Sequence, residues 1–186
     1  MSAIAEASAT DTAKALRHLY LVRFGFAVVW AILVLAVATG LGPATVALLV
    51  LYPLFDVAAA VVDFRTSGSS RPAAALYLNM ALSLLAAVGL GLAATSGVPM
   101  VLRVWGAWAI AAGVVQLVVA INRRGLGGQW AMILSGGLST FAGTSFILMA
   151  GGPNATLTAV AGYATLGGIF FLVSALRLRH AAKKGA

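Results

Sequence analysis

Residues 97–124 read GVPMVLRVWGAWAIAAGVVQLVVAINRR, and this stretch decides the fold. A Gly97-Val98-Pro99 turn signal opens it and Asn122-Arg123-Arg124 closes it. Between them only Arg103 is charged and only Gln116 carries an amide. A helix needs roughly 20 predominantly apolar residues to cross the hydrocarbon layer, and this run supplies them. The same punctuation occurs twice more. Pro43, Pro99 and Pro153 each stand between two long apolar runs, and arginine follows after 22, 24 and 24 residues, at Arg65, Arg123 and Arg177. The prolines recur at 56 and then 54 residues, the mark of one supersecondary unit copied along the chain.

Working outward, apolar runs of span length occupy 24–42, 44–64, 73–95, 98–122, 129–151 and 154–176. Two polar breaks, Thr66-Ser67-Gly68-Ser69-Ser70-Arg71-Pro72 and Asn122-Arg123-Arg124-Gly125-Leu126-Gly127-Gly128, divide them into pairs. In lipid every backbone N–H and C=O needs an internal partner. Barrel strands would alternate in polarity and these runs do not, so they predict helices. The expected fold is all-α: a polytopic membrane protein whose six transmembrane helices form three parallel hairpin repeats, 24–64, 73–122 and 129–176. Three hairpins pack most simply about a pseudo-threefold axis along the membrane normal. Residues 1–23 are expected as an N-terminal segment, mobile over 1–15, with a short interfacial helix from Thr12 to Tyr20 laying Leu16, Leu19 and Tyr20 on lipid. Residues 177–186 form a basic tail.

Composition agrees. Hydrophobic residues make up 62% of the chain and charged ones 9%, against about 25% charged in a soluble domain. The net charge of +8 would suggest nucleic acid on a soluble surface, but its placement points to lipid and to no nucleic-acid partner. Eleven of the twelve basic residues lie in the tails and in the two links after the second and fourth spans. The three Gly-Pro turns carry no charge. Positive-inside bias therefore puts both termini in the cytoplasm of a cell whose inner membrane holds the protein. The basic rim also suits anionic headgroups. Cysteine is absent, which removes disulfides and thiolate metal sites. Phe24 to Thr39 reads as an uncleaved first span, without a convincing cleavage site after it.

Small residues recur at the spacing that lets membrane helices approach closely: Ser83, Ala87 and Gly91; Gly106, Ala109 and Gly113; Ser135, Ser139 and Gly143; Thr158, Ala161, Thr165 and Gly168. They read as packing faces, or else as the border of a narrow pore.

Two stretches, Trp105 to Arg124 (WGAWAIAAGVVQLVVAINRR) and Gly162 to Arg179 (GYATLGGIFFLVSALRLR), look like the repeat endings of the HdeD-like acid-resistance membrane proteins. Trp130 to Pro153, with Gly136-Gly137 and a terminal Gly-Gly-Pro, is similar to that family's repeat beginning. The resemblance covers about 98–180. The first hairpin departs from it, with Tyr52-Pro53 and Asp56 where the other copies carry small apolar residues. The resemblance implies a six-span inner-membrane protein linked to acid or general stress, not an enzyme. It transfers no catalytic residue.

Asp56 is the sharpest single residue. It lies nine positions before Arg65, so roughly 13 Å inside the basic rim at the helical rise, where a charge costs about 2.5–3.5 kcal/mol on insertion scales. Asn79, Gln116 and Ser135 fall at similar depth on the next three spans. A buried polar cluster of Asp56, Asn79, Gln116 and Ser135 is expected. It serves either as a pH-sensitive element or as an interhelical hydrogen bond that fixes register. Asp63 lies near the basic end, level with Arg23, and an Arg23–Asp63 ion pair across the first hairpin is expected. Arg103 is the exception to the charge rule. It either snorkels to the outer surface or lines an outer mouth.

Other candidates are weaker. His18 and His180 have no clustered carboxylates, so no metal site is expected. Trp105, Trp108 and Trp130 read as packing or interfacial residues. Asn154-Ala155-Thr156 matches a glycosylation acceptor, and Gly125-Leu126-Gly127-Gly128 lacks the setting of a phosphate loop. No catalytic residue and no cofactor are expected. The expected role is non-enzymatic, a bundle that stabilises the membrane or a partner protein, alone or as a homo-oligomer. The alternative is a channel or transporter for protons or a small solute, with the Asp56 layer as its constriction.

Overall fold

The structure is a computed structural model that describes residues 2–67, 73–122, 129–153 and 155–184. Side chains are described for 12–66, 74–122, 129–153 and 155–180. The described residues hold six long helices and no strand: α1 Ser2–Val37, α2 Pro43–Ser67, α3 Ala73–Ala93, α4 Val98–Asn122, α5 Trp130–Met149 and α6 Thr158–Lys184. All six contain stretches long and apolar enough to cross a membrane. The protein is an all-helical, multi-pass membrane protein by this measure. Large apolar side chains face outward, Leu85 at 70% exposure and Phe141 and Leu148 at 73%, as suits helices whose solvent is lipid.

The helix ends follow the sequence punctuation. Proline opens α2, where its missing N–H costs nothing. A 3-10 turn, Ala94–Ser96, leads into Gly97, whose φ of 92° reverses the chain before α4. One expectation about the ends is corrected. α1 runs unbroken from Ser2, so Thr12 to Tyr20 continues the first span and is not a separate interfacial helix. Leu19 is buried and Tyr20 stacks on Phe171 of α6, which draws this segment onto the bundle. At the other end α6 continues through the basic tail to Lys184.

The densest packing does not lie within the expected hairpins. α4 lies against α5, α1 against α6 and α2 against α3, while α5 and α6 touch only lightly. The cause is the distribution of small residues. Gly106 and Gly113 of α4 meet Gly143 and Gly136 of α5 in antiparallel register. Gly168 of α6 lies against Ala27 of α1. Ala59 and Ala60 of α2, and Ala86 and Ala87 of α3, are all buried. Small side chains let backbones approach, which multiplies dispersion contacts where no hydrophobic drive exists between helices. Tyr20 with Phe171 and Ala27 with Gly168 make α1 and α6 antiparallel, so both termini leave the bundle at one end. That end also carries Arg65 and Arg177 and is called the basic end below.

One core joins all six helices: Trp30, Leu49, Leu90, Trp105, Phe146 and Val160 are each at most 3% exposed.

Candidate functional site

Pro53 sits inside α2, three residues before Asp56. It removes one rung of the helical ladder. The indole of Trp30 on α1 donates to the Leu48 carbonyl next to that break, at 2.7 Å. This ties α1 to α2 about two turns from Asp56, on the side away from the basic end.

Asp56 then gathers donors from two neighbouring helices. The Arg23 guanidinium of α1 donates to Oδ1 and forms an ion pair with it. Asn79 Nδ2 and Ser83 Oγ of α3 both donate to Oδ2, each at 2.9 Å. Ser83 accepts in turn from Trp108 Nε1 of α4 at 3.2 Å. Arg23 also lies 4.2 Å over the ring of Phe171 on α6. Five helices thus meet in one polar layer. Arg23 and Asp56 retain 16% and 15% side-chain exposure, so the pair is largely but not wholly desolvated. Attraction inside a low-dielectric bundle offsets the cost of moving two charges from water only when other hydrogen bonds complete the set. Here both carboxylate oxygens are engaged.

An aromatic layer adjoins this polar one on the side away from the basic end. Phe26 stacks on Phe55 with centroids 3.7 Å apart. Trp30 meets Tyr52 edge-on at 4.6 Å and stacks on Trp105 at 5.5 Å, and Trp108 stands edge-on to Trp105 at 5.4 Å. Trp105 is fully buried, and its indole N–H has rings around it and no acceptor among the described residues. The bundle's middle is therefore filled by side chains.

The expected residues separate into three groups. Asn79 joins Asp56 as the depth argument required. Gln116 and Ser135 do not: both are half-buried and neither hydrogen-bonds to Asp56. Ser135 lines a different space, between α5 and α6. Arg23 pairs with Asp56 in place of the expected Asp63. The long arginine side chain reaches inward to the level where several donors already converge. Asp63 is 4% exposed and is itself engaged. Arg103 lies on the exposed surface of α4, while its neighbours Val101, Leu102 and Trp105 are buried, so it points away from the core. His18 and His180 are exposed. Asn154 of the acceptor triplet, Arg71, Arg123 and Arg124 lie outside the described residues.

Ser83 and Trp108 belong to the cluster although the sequence marked Ser83 only as small and Trp108 only as packing. The available signal was spacing. Ser83 follows Asn79 by four residues and shares its helix face.

No family model, no curated protein and no solved structure matches this chain.

Proposed function

We infer that the protein is a non-catalytic, HdeD-like integral bundle of the inner membrane, with both termini in the cytoplasm and a role in acid or envelope stress. It acts as a structural element that stabilises the bilayer or a partner membrane protein. The observation that carries this reading is the closure of the Asp56 layer. A channel needs a polar constriction open to solute, and here Arg23, Asn79 and Ser83 occupy the carboxylate from two sides. The aromatic layer fills the adjoining level. The stress role draws on the resemblance of residues 98–180 to the HdeD-like proteins, and the orientation on the arginine-bearing links.

Two measurements test it. Proteoliposomes of the full chain should conduct neither protons nor small amides, between neutral and acidic pH. Flux that disappears in Asp56→Ala would hand the protein to the channel class. Cells lacking the protein should survive acid challenge less well, and Asp56→Asn at equal expression should restore survival if the layer is structural. Failure of that variant to restore survival, with its fold intact, would make Asp56 a pH-sensitive element instead.

A further inference from the structure

α5 and α6 are consecutive in sequence yet barely touch. The space between them is a partly open cavity of about 400 Å³. Its walls are apolar, with Leu138, Phe146 and Met149 on α5 and Leu166 and Phe170 on α6. Four hydroxyls interrupt them: Ser135, Ser139, Ser145 and Tyr163.

Ser135, Ser139 and Tyr163 behave unlike the other hydroxyls of these two helices. Thr140, Thr144 and Ser145 on α5, and Thr165 and Ser174 on α6, each return their hydroxyl to the carbonyl four residues back. That is the usual way to satisfy such a group in lipid. Ser135 makes no hydrogen bond at all among the described residues. Ser139 accepts from Tyr163 Oη at 3.0 Å and gives its own hydrogen to no carbonyl. A free hydroxyl and a hydroxyl pair therefore face an apolar slot at membrane depth.

The slot has a charged end. Positions 163, 166, 170 and 177 fall on one face of α6 at helical spacing, so Arg177 continues the cavity wall toward the basic end. Its guanidinium lies 5.1 Å over the ring of Trp130, the first residue of α5. Both side chains are exposed. Ser135 lies roughly 7.5 Å deeper than Trp130, at five residues of helical rise.

We propose that the α5–α6 seam binds one anionic phospholipid. Its phosphate rests on Arg177 beside Trp130, its ester carbonyls accept from Ser135 and Ser139, and one acyl chain fills the slot beyond them. The sequence of chemistry along the seam, cation, then hydroxyl, then hydrocarbon, is the sequence along a phospholipid. Charge selects the anionic class, because a cationic rim attracts negative headgroups and repels none of them. A second copy of this chain would bring an apolar helix to the seam and leave both the Ser135 hydroxyl and Arg177 unused. The proposal needs only that the six helices stand in a bilayer; it is independent of the stress role and of the orientation.

The test uses the full chain in nanodiscs with equal phosphatidylglycerol and phosphatidylcholine of matched acyl chains, followed by native mass spectrometry of the released protein. One retained phosphatidylglycerol per chain is expected, favoured about fivefold over phosphatidylcholine for a single arginine contact. Gly162→Leu should abolish retention of both lipids. A Cβ at Gly162 meets nothing within 4 Å, so the larger side chain enters the slot without forcing the helices apart. Arg177→Gln should keep a bound lipid and lose the preference between headgroups. Unchanged helical content and unfolding temperature confirm that each variant is folded. Absence of retained lipid, equal retention of the two lipids by the unaltered chain, or retention insensitive to Gly162→Leu would each overturn the proposal. A dimer that Gly162→Leu converts to monomer would assign the seam to a second copy and overturn it as well.

Discussion

Gly106 of α4 and Gly143 of α5 lie so close that a Cβ built on either would stand 2.5 Å from the other's carbonyl oxygen. Two turns along, Gly113 and Gly136 repeat the contact, with Cβ-to-carbonyl distances of 2.7 and 2.9 Å. The obstacles are backbone atoms, which cannot swing aside as a side chain can. Gly106→Val or Gly143→Val should therefore push α4 and α5 apart and cost about 1–3 kcal/mol or more, the usual range for overpacking. Gly137→Ala, where a Cβ meets nothing within 4 Å, should be tolerated. Thermal unfolding in detergent separates the two outcomes. Equal unfolding temperatures for Gly106→Val and Gly137→Ala would contradict the close approach.

The Arg23–Asp56 pair predicts a strongly non-additive cycle. Arg23→Met or Asp56→Leu alone leaves one charge without its partner, which costs about 3–5 kcal/mol in a buried setting. The lower end applies here because both side chains keep some exposure. The double variant should recover most of that loss, since an apolar pair of similar volume is often as stable as a buried ion pair. Additive losses across the cycle, read from unfolding in the same detergent, would show that the two side chains do not depend on each other.

Ser83 donates to Asp56 and accepts from Trp108, so one small hydroxyl serves α2, α3 and α4 at once. Ser83→Ala should cost about 1–3 kcal/mol, because a buried acceptor and a buried donor each lose a partner. Thr144→Ala, an exposed back-bonding position, should stay within about 0.5 kcal/mol. In an Asp56→Leu background the Ser83→Ala loss should shrink, the sign of a shared network.

Reporter fusions test the topology. Fusions in the turns at Gly42, Gly97 and Gly152 should report one compartment. Fusions after Thr66 and after Asn122, and at the carboxyl terminus, should report the other. The arginine bias assigns the second set to the cytoplasm. Any turn and any link reporting the same side would remove a span.

The spans were readable because lipid imposes a length and a composition that no tertiary context overrides. Val98–Asn122 ends where the apolar run ends, at both boundaries. α1 was not, because the charged stretch before Arg23 reads as water-facing, while Leu19 and Tyr20 in fact lie against α6. Within the site, residue counting gives depth but not direction around the bundle axis. Asn79 and Ser135 share a depth, yet Asn79 turns to Asp56 and Ser135 to the α5–α6 seam. Which helices stand side by side decides this, and sequence order alone does not give it: α2 leans on α3 and α4 on α5. Arg23 was misassigned for a related reason. Level alone favours Asp63, but a long flexible side chain reaches the deeper carboxylate, and the Phe171 ring holds it there.

The pairing of α1 with α6 has a consequence for biogenesis. Ala27 and Gly168, which touch across that interface, are 141 residues apart in sequence. α1 must therefore wait in the bilayer until α6 is synthesised before its small-residue face is covered. Non-local closure of this kind is slow. A chain cut short after α5 would leave that face bare in the bilayer, with Ala27 and its small-residue neighbours uncovered.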